Sequence, residues 1–327
     1  MVRMGILSAA HLHADSYAPQ LRALPNAQLV GLWDDNAARL AAKASEYACD
    51  AFAERDALLE RCDAVVIASE NIHHRALTEA AAAAGKHVLS EKPLAPTPDD
   101  ARAMVDACAS AGVQLMTAFP CRFSPAFRQL LSAVQNGDLG EVLAVRGTNQ
   151  GQCPGGWFID TKLSGGGAVI DHTVHVTDLL RVLLGAEVAT VYAETDNRLL
   201  HGDFEDTGFL ALNFVGGVFG TLDTSWSRPK SFPTWGNVTL AVTGTRGVVE
   251  MDMFSQESIL YSDRSARVLY QNWGSNIDRG MIAAFVHAVE TGEPVSITGV
   301  DGLRAVEVVE AAYESARTHQ PAAVRHR

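Results

Sequence analysis

Lys92, Asp171 and His175 are the residues of this chain best suited to carry a reaction. Oxidising a secondary alcohol requires a hydride acceptor and a group that takes the hydroxyl proton; the reverse reaction requires a proton donor to the carbonyl. Histidine titrates near neutrality and suits either proton role. Lysine suits it once burial or a neighbouring cation lowers its pKa, and as an ammonium it can orient and polarise the substrate oxygen. Asp171 and His175 stand at i and i+4 in Asp171-His172-Thr173-Val174-His175, so a helix places both on one face. Lys92 lies in Glu91-Lys92-Pro93, where the proline restrains the local backbone. The bland alternatives are a surface Glu-Lys before a proline, and a capping aspartate with a polar-face histidine.

Placing these groups together needs particular elements. Apolar runs and helical patterns alternate through the first third: strands at Met4–Ser8, Ala27–Trp33, Ala64–Ala68, Val88–Ser90 and Leu115–Ala118, with helices at His13–Ala23, Asn36–Tyr47, His73–Ala84 and Pro98–Ala111. Repeated βα units predict a doubly wound parallel sheet, whose ligands bind beyond the carboxyl ends of the strands. The expected G-x-G-x-x-G turn aligns with Ser8-Ala9-Ala10-His11-Leu12-His13, in which all three glycines are replaced. Ala10 adds a methyl group where the second glycine lets a pyrophosphate approach, although the following helix N-terminus still attracts anions. Asp34 ends the second strand, 21 residues after His13, at the distance of a ribose-binding carboxylate. With Asp35 beside it and no adjacent arginine, NAD is favoured over NADP; capping of the next helix by Asp34-Asp35-Asn36 is the structural alternative.

Beyond a change of character near residues 119–125, the chain reads as a second domain. A helix over Asp171–Leu184 carries an apolar face, and Gly165-Gly166-Gly167 offers it a flexible approach. Alternating runs at Val188–Glu194, Thr207–Phe214, Val218–Ser225, Asn237–Thr243 and Gly247–Met253 predict an antiparallel or mixed sheet with hairpin turns at Gly216-Gly217 and Gly244–Gly247. Helices at Met281–Glu290 and Gly302–Thr318 finish that domain. The fold class is therefore α/β: a Rossmann domain over residues 1–120 and an α+β domain over 121–327.

In this order, His87–Leu94 with its Glu-Lys-Pro, the Gly165–Gly167 run and Asp171–His175 resemble the Gfo/Idh/MocA family of nicotinamide-dependent oxidoreductases over nearly the whole chain. The resemblance implies a dehydrogenase or reductase acting on the CH–OH group of a sugar, cyclitol or related polyol. It puts Lys92 beside the nicotinamide and gives His175 the acid–base role, with Asp171 orienting substrate or tuning His175. It implies cofactor contacts from the turn (Ser8, Ala10, His11, Leu12), from Asp34, from Ser69-Glu70-Asn71-Ile72-His73-His74 through Ser69, Asn71 and His74, and from Glu91, Lys92 and Arg122. His172 and Trp157 are further substrate candidates, Trp157 as a stacking wall or simply core. It also implies a homo-oligomer, dimer or tetramer, built on a face of the second sheet. The alternatives are an NAD-dependent glycosidase or epimerase of the same family, and a non-catalytic nucleotide-binding regulatory protein.

The bulk properties narrow the classes. A formal charge of −12 lacks the basic footprint of a nucleic-acid binder. No apolar run approaches a membrane span, and the N-terminus runs straight into a strand pattern without the features of a signal peptide. The five cysteines, an odd number with no C-x-x-C pair, fit reduced thiols of a cytoplasmic protein. His172 and His175, at i and i+3, are too ordinary a pair to indicate a metal, and none is expected.

Overall fold

One central helix buries six polar side chains, and the architecture explains why. The computed structural model describes residues 1–255, 257–262, 267–272 and 274–326. The first half is built from β1 (Val2–Leu7), α1 (Ala14–Ala23), β2 (Ala27–Trp33), α2 (Ala37–Tyr47), β3 (Asp50–Phe52), α3 (Arg55–Leu59), β4 (Ala64–Ile67), α4 (His74–Ala83), β5 (His87–Ser90), α5 (Pro98–Ala111) and β6 (Leu115–Thr117). The six strands form one parallel sheet in the order β3-β2-β1-β4-β5-β6. The chain winds one way from β1 to β3 and the other from β4 to β6, so the loops after β1 and β4 diverge and open a crevice. Helix boundaries follow local chemistry. The Thr97 hydroxyl accepts from the Asp100 amide at 3.2 Å ahead of Pro98, and Gly112 closes α5 at φ 68°.

After α6 (Pro125–Gln135), the strand β7 (Val142–Gly151), the single turn α7 (Thr161–Ser164) and α8 (Ala168–Leu184), the chain forms β8 (Val188–Asp196), β9 (Thr207–Phe214), β10 (Phe219–Asp223), β11 (Gly236–Gly244) and β12 (Val248–Asp252). A hairpin of β13 (Glu257–Ser262) and β14 (Arg267–Asn272) precedes α9 (Ile277–Thr291), α10 (Gly299–Thr318) and the short β15 (Ala322–Ala323). The large sheet runs β12-β11-β7-β10-β9-β8-β15 and is mixed, because β7 and β10 are parallel and its other pairs antiparallel. Gly216 and Gly217, at φ 98° and 94°, make the β9–β10 turn that the sequence predicts. β7 was not predicted: its buried face runs Val145, Gly147, Asn149, Gly151, so apolar core contact at Val145 gives way to cavity lining at Asn149 and Gly151 and the apolar alternation is lost.

The helix α8 lies between the two halves and is buried on every side from Ala168 to Leu180. Such a helix is normally apolar all round. Here it carries Asp171, His172, Thr173, His175, Thr177 and Asp178, each of which costs free energy unless partnered.

Two expectations are corrected. The Gly165–Gly167 run is not a flexible approach to α8. A side chain on Gly166 would meet the Tyr313 hydroxyl at 2.0 Å, and one on Gly167 the Glu205 carbonyl oxygen at 2.0 Å, so close packing requires these glycines. Nor do α9 and α10 simply finish the second domain. Met281, Ile282, Phe285 and Val286 of α9 share a core with Met4 and Ile6 of β1. The helix α10 joins both halves: Ala305 and Val309 face the first core, while Val308, Ala311 and Ala312 face the second. Periodicity shows that a helix has an apolar face but not which of two cores receives it.

Substituting Gly167→Ala is expected to destabilise the protein by about 1–3 kcal/mol, the usual cost of overpacking. A lowered thermal midpoint with an unchanged circular dichroism spectrum at low temperature would bear this out.

Candidate active site

The carboxylate of Asp171, on the first turn of α8, collects three partners from different parts of the chain. Lys92 Nζ, just past β5, lies 2.5 Å from Oδ1; Trp226 Nε1 donates to Oδ2 at 3.0 Å; His172 Nε2 is 3.3 Å from the same oxygen. Burial alone would raise the Asp171 pKa, yet Lys92, His172 and the indole hold it well below the usual carboxylate range. Sequence reasoning missed Trp226. It is an isolated aromatic between two serines after β10, and only the fold brings it to Asp171.

His175 lies one turn further along α8, on the same cavity. Burial, reinforced by the Lys92 ammonium, pushes its pKa well down, so the neutral imidazole is the resting form. The Cys121 thiol is 4.0 Å from Nδ1 and the Phe119 ring approaches edge-on, which leaves Nε2 as the nitrogen available to a ligand. Asn149 Nδ2 donates to the His172 carbonyl at 3.1 Å and ties β7 to this turn of α8. A cavity of about 470 Å³ opens over the group, lined by His11, Lys92, Asn149, Asp171, His172 and His175 and bounded by Phe158, Trp235 and Phe254. That size suits a small organic ligand.

The turn after β1 replaces its glycines with side-chain contacts. Ser8 adopts φ 68°, a left-handed conformation that favours glycine. Its hydroxyl lies 3.2 Å from Asp34 Oδ2, and the Ala9 amide donates to that oxygen at 2.8 Å. His13 precedes α1 without any capping side chain; the Ala14, Asp15 and Ser16 amides donate instead to the carbonyls of His11, Leu12 and His13 at 3.0, 3.3 and 2.9 Å. Trp157 Nε1 donates to the Ala10 carbonyl at 3.0 Å, and its ring stacks on Phe158 with centroids 3.9 Å apart. Trp157 therefore lies across the turn; Phe158 faces the cavity in its place.

Several residues do something other than the sequence suggests. Asp34 does have an adjacent arginine: one turn into α2, Arg39 returns and donates Nε to Asp34 Oδ2 at 2.8 Å and Nη2 to Asp35 at 3.0 Å. Its Nη1 is also 3.7 Å from Glu70. Burial raises the Asp34 pKa, but Arg39 and the Ala9 and Asn36 amides bring it below its usual value. Asn36 supplies the helix cap, accepting from the Arg39 amide at 3.0 Å. Arg122 grips Asp178 through Nε and Nη2, lies 3.1 Å from Asp301 and donates Nη1 to the Ser296 carbonyl at 3.2 Å. It clamps α8 to α10 and does not line the cavity. His74 is fully buried, with Nδ1 at 3.0 and 3.2 Å from the Pro93 and Leu94 carbonyls and Nε2 at 3.3 Å from that of Ser69. It binds the loop after β4 to the loop bearing Lys92. The Ser69 hydroxyl donates to the Glu70 carbonyl, and Asn71 Nδ2 to that of Ser164 at 2.8 Å.

A doubly wound sheet with acid, ammonium and imidazole at its carboxyl edge is an architecture suited to a nucleotide-binding α/β oxidoreductase. Residues 2–119 match the oxidoreductase-family model described as an NAD-binding Rossmann fold, and residues 127–250 match the GFO/IDH/MocA C-terminal domain. The chain is 28% identical to the myo-inositol 2-dehydrogenase of Thermotoga maritima, over 96% of each chain. It is 31% identical to the 1,5-anhydro-D-fructose reductase of Ensifer adhaerens, over 80% of each. Among solved structures, GenD2 from gentamicin A biosynthesis, in complex with NAD, superposes with a TM-score of 0.91 at 26% identity, covering 99% of this chain and 97% of that one. The protein belongs to the GFO/IDH/MocA family of oxidoreductases. Among the described residues no helix is long and apolar enough to cross a membrane.

Replacing Arg122 by Ala leaves Asp178 buried without its partner and is expected to cost about 3–5 kcal/mol of stability. A clamp predicts a large fall in denaturation midpoint with unchanged dinucleotide affinity in the folded variant; calorimetric titration would reveal the reverse if Arg122 held cofactor.

Proposed function

We propose that this protein is an NAD(H)-dependent dehydrogenase or reductase that moves hydride between the nicotinamide and a secondary alcohol carbon of a sugar, cyclitol or related polyol. The observation that carries the reading is the buried Lys92–Asp171 pair facing the same cavity as neutral His175. The relatives, an inositol dehydrogenase and an anhydrofructose reductase among them, support the substrate class. Among the described lining residues the only strong cation, Lys92, is already paired, which favours a neutral polyhydroxylated ligand over an acid or phosphate ester.

In this reading the dinucleotide supplies or accepts the hydride. Ser8, Ala10, His11 and Leu12 would hold its pyrophosphate, and Asp34 its adenine ribose. Lys92 donates to the reacting oxygen and fixes its position, while Asp171 holds the ammonium in place. His175 Nε2 takes the hydroxyl proton during oxidation and returns it during reduction; His172 and Asn149 bound the substrate side. Ser69, Asn71, His74 and Glu91 set the loops around the cofactor. NAD is preferred because Asp34, Asp35 and Glu70 surround the single guanidinium of Arg39, leaving net negative charge where NADP carries its 2′-phosphate.

A second reading draws on Trp157, which lies across the dinucleotide turn. A cofactor held beneath it would be retained and recycled within one turnover, as an epimerase or glycosidase of this family requires. Stoichiometric nicotinamide in the purified protein, without net turnover of added NAD, would favour that reading.

Calorimetric titration of ligand-free protein is expected to show micromolar NAD(H) binding and weaker NADP(H) binding. Binding of neither by folded protein would overturn the dehydrogenase assignment; tighter NADP(H) would overturn the role given to the carboxylates. On a turned-over polyol, His175→Asn is expected to lower kcat by about 10²–10⁴, the usual contribution of a positioned acid–base group. Because burial and Lys92 both disfavour the imidazolium, the working base persists as pH falls. The acid limb of kcat/KM for oxidation should therefore lie below the ordinary histidine value of about 6.5. A limb at or above that value would reassign the base.

A further inference from the structure

The turn that has lost its glycines has gained a group of metal-ligating side chains, separate from the Asp171 cluster. His11 and His13 follow β1, and Glu91 follows β5. His13 Nδ1 lies 3.1 Å from Glu91 Oε1, and His11 Nδ1 lies 3.8 Å from the same oxygen. One ligand atom from each of the three residues falls within 4.8 Å of the other two. A tetrahedral zinc ion with bonds of about 2.0–2.1 Å separates its ligand atoms by about 3.3 Å, so the two shorter separations bracket the required edge. His11 and Glu91 are 1% and 0% exposed, while both histidines border the cavity above Lys92.

We propose that His11, His13 and Glu91 bind a divalent transition-metal ion of the zinc type, with a remaining coordination position open to the cavity. Two imidazoles and one carboxylate are the donor set of a zinc centre that keeps a site for water or substrate. Three further groups complete the surroundings. The Tyr17 hydroxyl donates to Glu91 Oε1, as an outer-shell donor to a ligating carboxylate does. The His13 amide donates to His11 Nδ1 at 3.2 Å, a contact that gives way when the nitrogen turns to the ion. Asp278, at the cavity wall, adds negative charge near His13. The ion takes the place of the proton that His13 shares with Glu91, so binding releases protons and weakens as pH falls.

The test uses the whole protein, stripped with a chelator and titrated with Co²⁺ alone, then with Zn²⁺ in competition. One equivalent of Co²⁺ is expected to develop d–d absorption that Zn²⁺ removes. His11→Asn and His13→Gln should each weaken binding by at least about 100-fold, the upper range for loss of even an outer-shell partner. Circular dichroism establishes that each variant is folded, and X-ray absorption at the cobalt edge of the unmutated protein reads the imidazole ligands without any variant. Absence of a saturable Co²⁺ signal, an edge spectrum without imidazole, or a signal lost only on replacing His172 or His175 would overturn the proposal. None of these readouts needs dinucleotide or substrate, so the outcome stands apart from that of the dehydrogenase reading.

Discussion

The buried negative charge of Asp171 is the constraint around which the two halves of the molecule are arranged. A carboxylate removed from water is tolerated only when its charge is answered and its lone pairs are occupied. Here the ammonium comes from the loop after β5, the indole from the segment after β10, and the imidazole from the next residue of α8. One group therefore ties the parallel sheet, the mixed sheet and the central helix to a common point. The same point lies beneath the cavity, so the contact that joins the halves also positions the residues proposed to react.

The polar burden of α8 is answered a second time at its other end. Asp178 meets Arg122, and Arg181 reaches both Glu187 and Asp301. Burial still pushes the Asp178 carboxyl up to about 6, which shows how far desolvation competes with a well-placed guanidinium. At the Asp171 end, ammonium, imidazole and indole together outweigh burial. The helix thus carries one carboxylate held firmly as an anion, facing the cavity, and one held within a structural clamp. The difference lies in the partners each receives rather than in the helix itself.

The altered turn after β1 follows similar logic. Losing three glycines removes the close backbone approach usual at a dinucleotide site, yet Ser8 keeps the left-handed conformation and gains Asp34 as a partner. His11 and His13 fill the space above the strands and engage Glu91, the neighbour of Lys92. Glu91 Oε2 in turn accepts the Lys92 amide at 3.0 Å, so the substituted turn is mechanically continuous with the proposed reaction centre.

The alternation of apolar runs and helical patterns determined five of the six strands of the Rossmann half, because a doubly wound sheet is written in local periodicity and caps; the short, largely exposed β3 and the five-residue α3 carry no such signal and were not predicted. The i, i+4 spacing of Asp171 and His175 likewise determined that they share a helix face. The contacts of Trp226, Arg39, Arg122, His74 and Trp157 were decided only by tertiary structure. Trp226 is 55 residues from Asp171 and Arg122 is 56 from Asp178. Arg39 is close in sequence to Asp34, but its side chain turns back only because α2 begins where it does. A residue type announces which bonds it can make; which partner arrives, and whether water remains to compete, depends on how distant segments pack. For that reason the grouping of Lys92, Asp171 and His175 on one cavity could be expected from the chain, while the network that holds them could not.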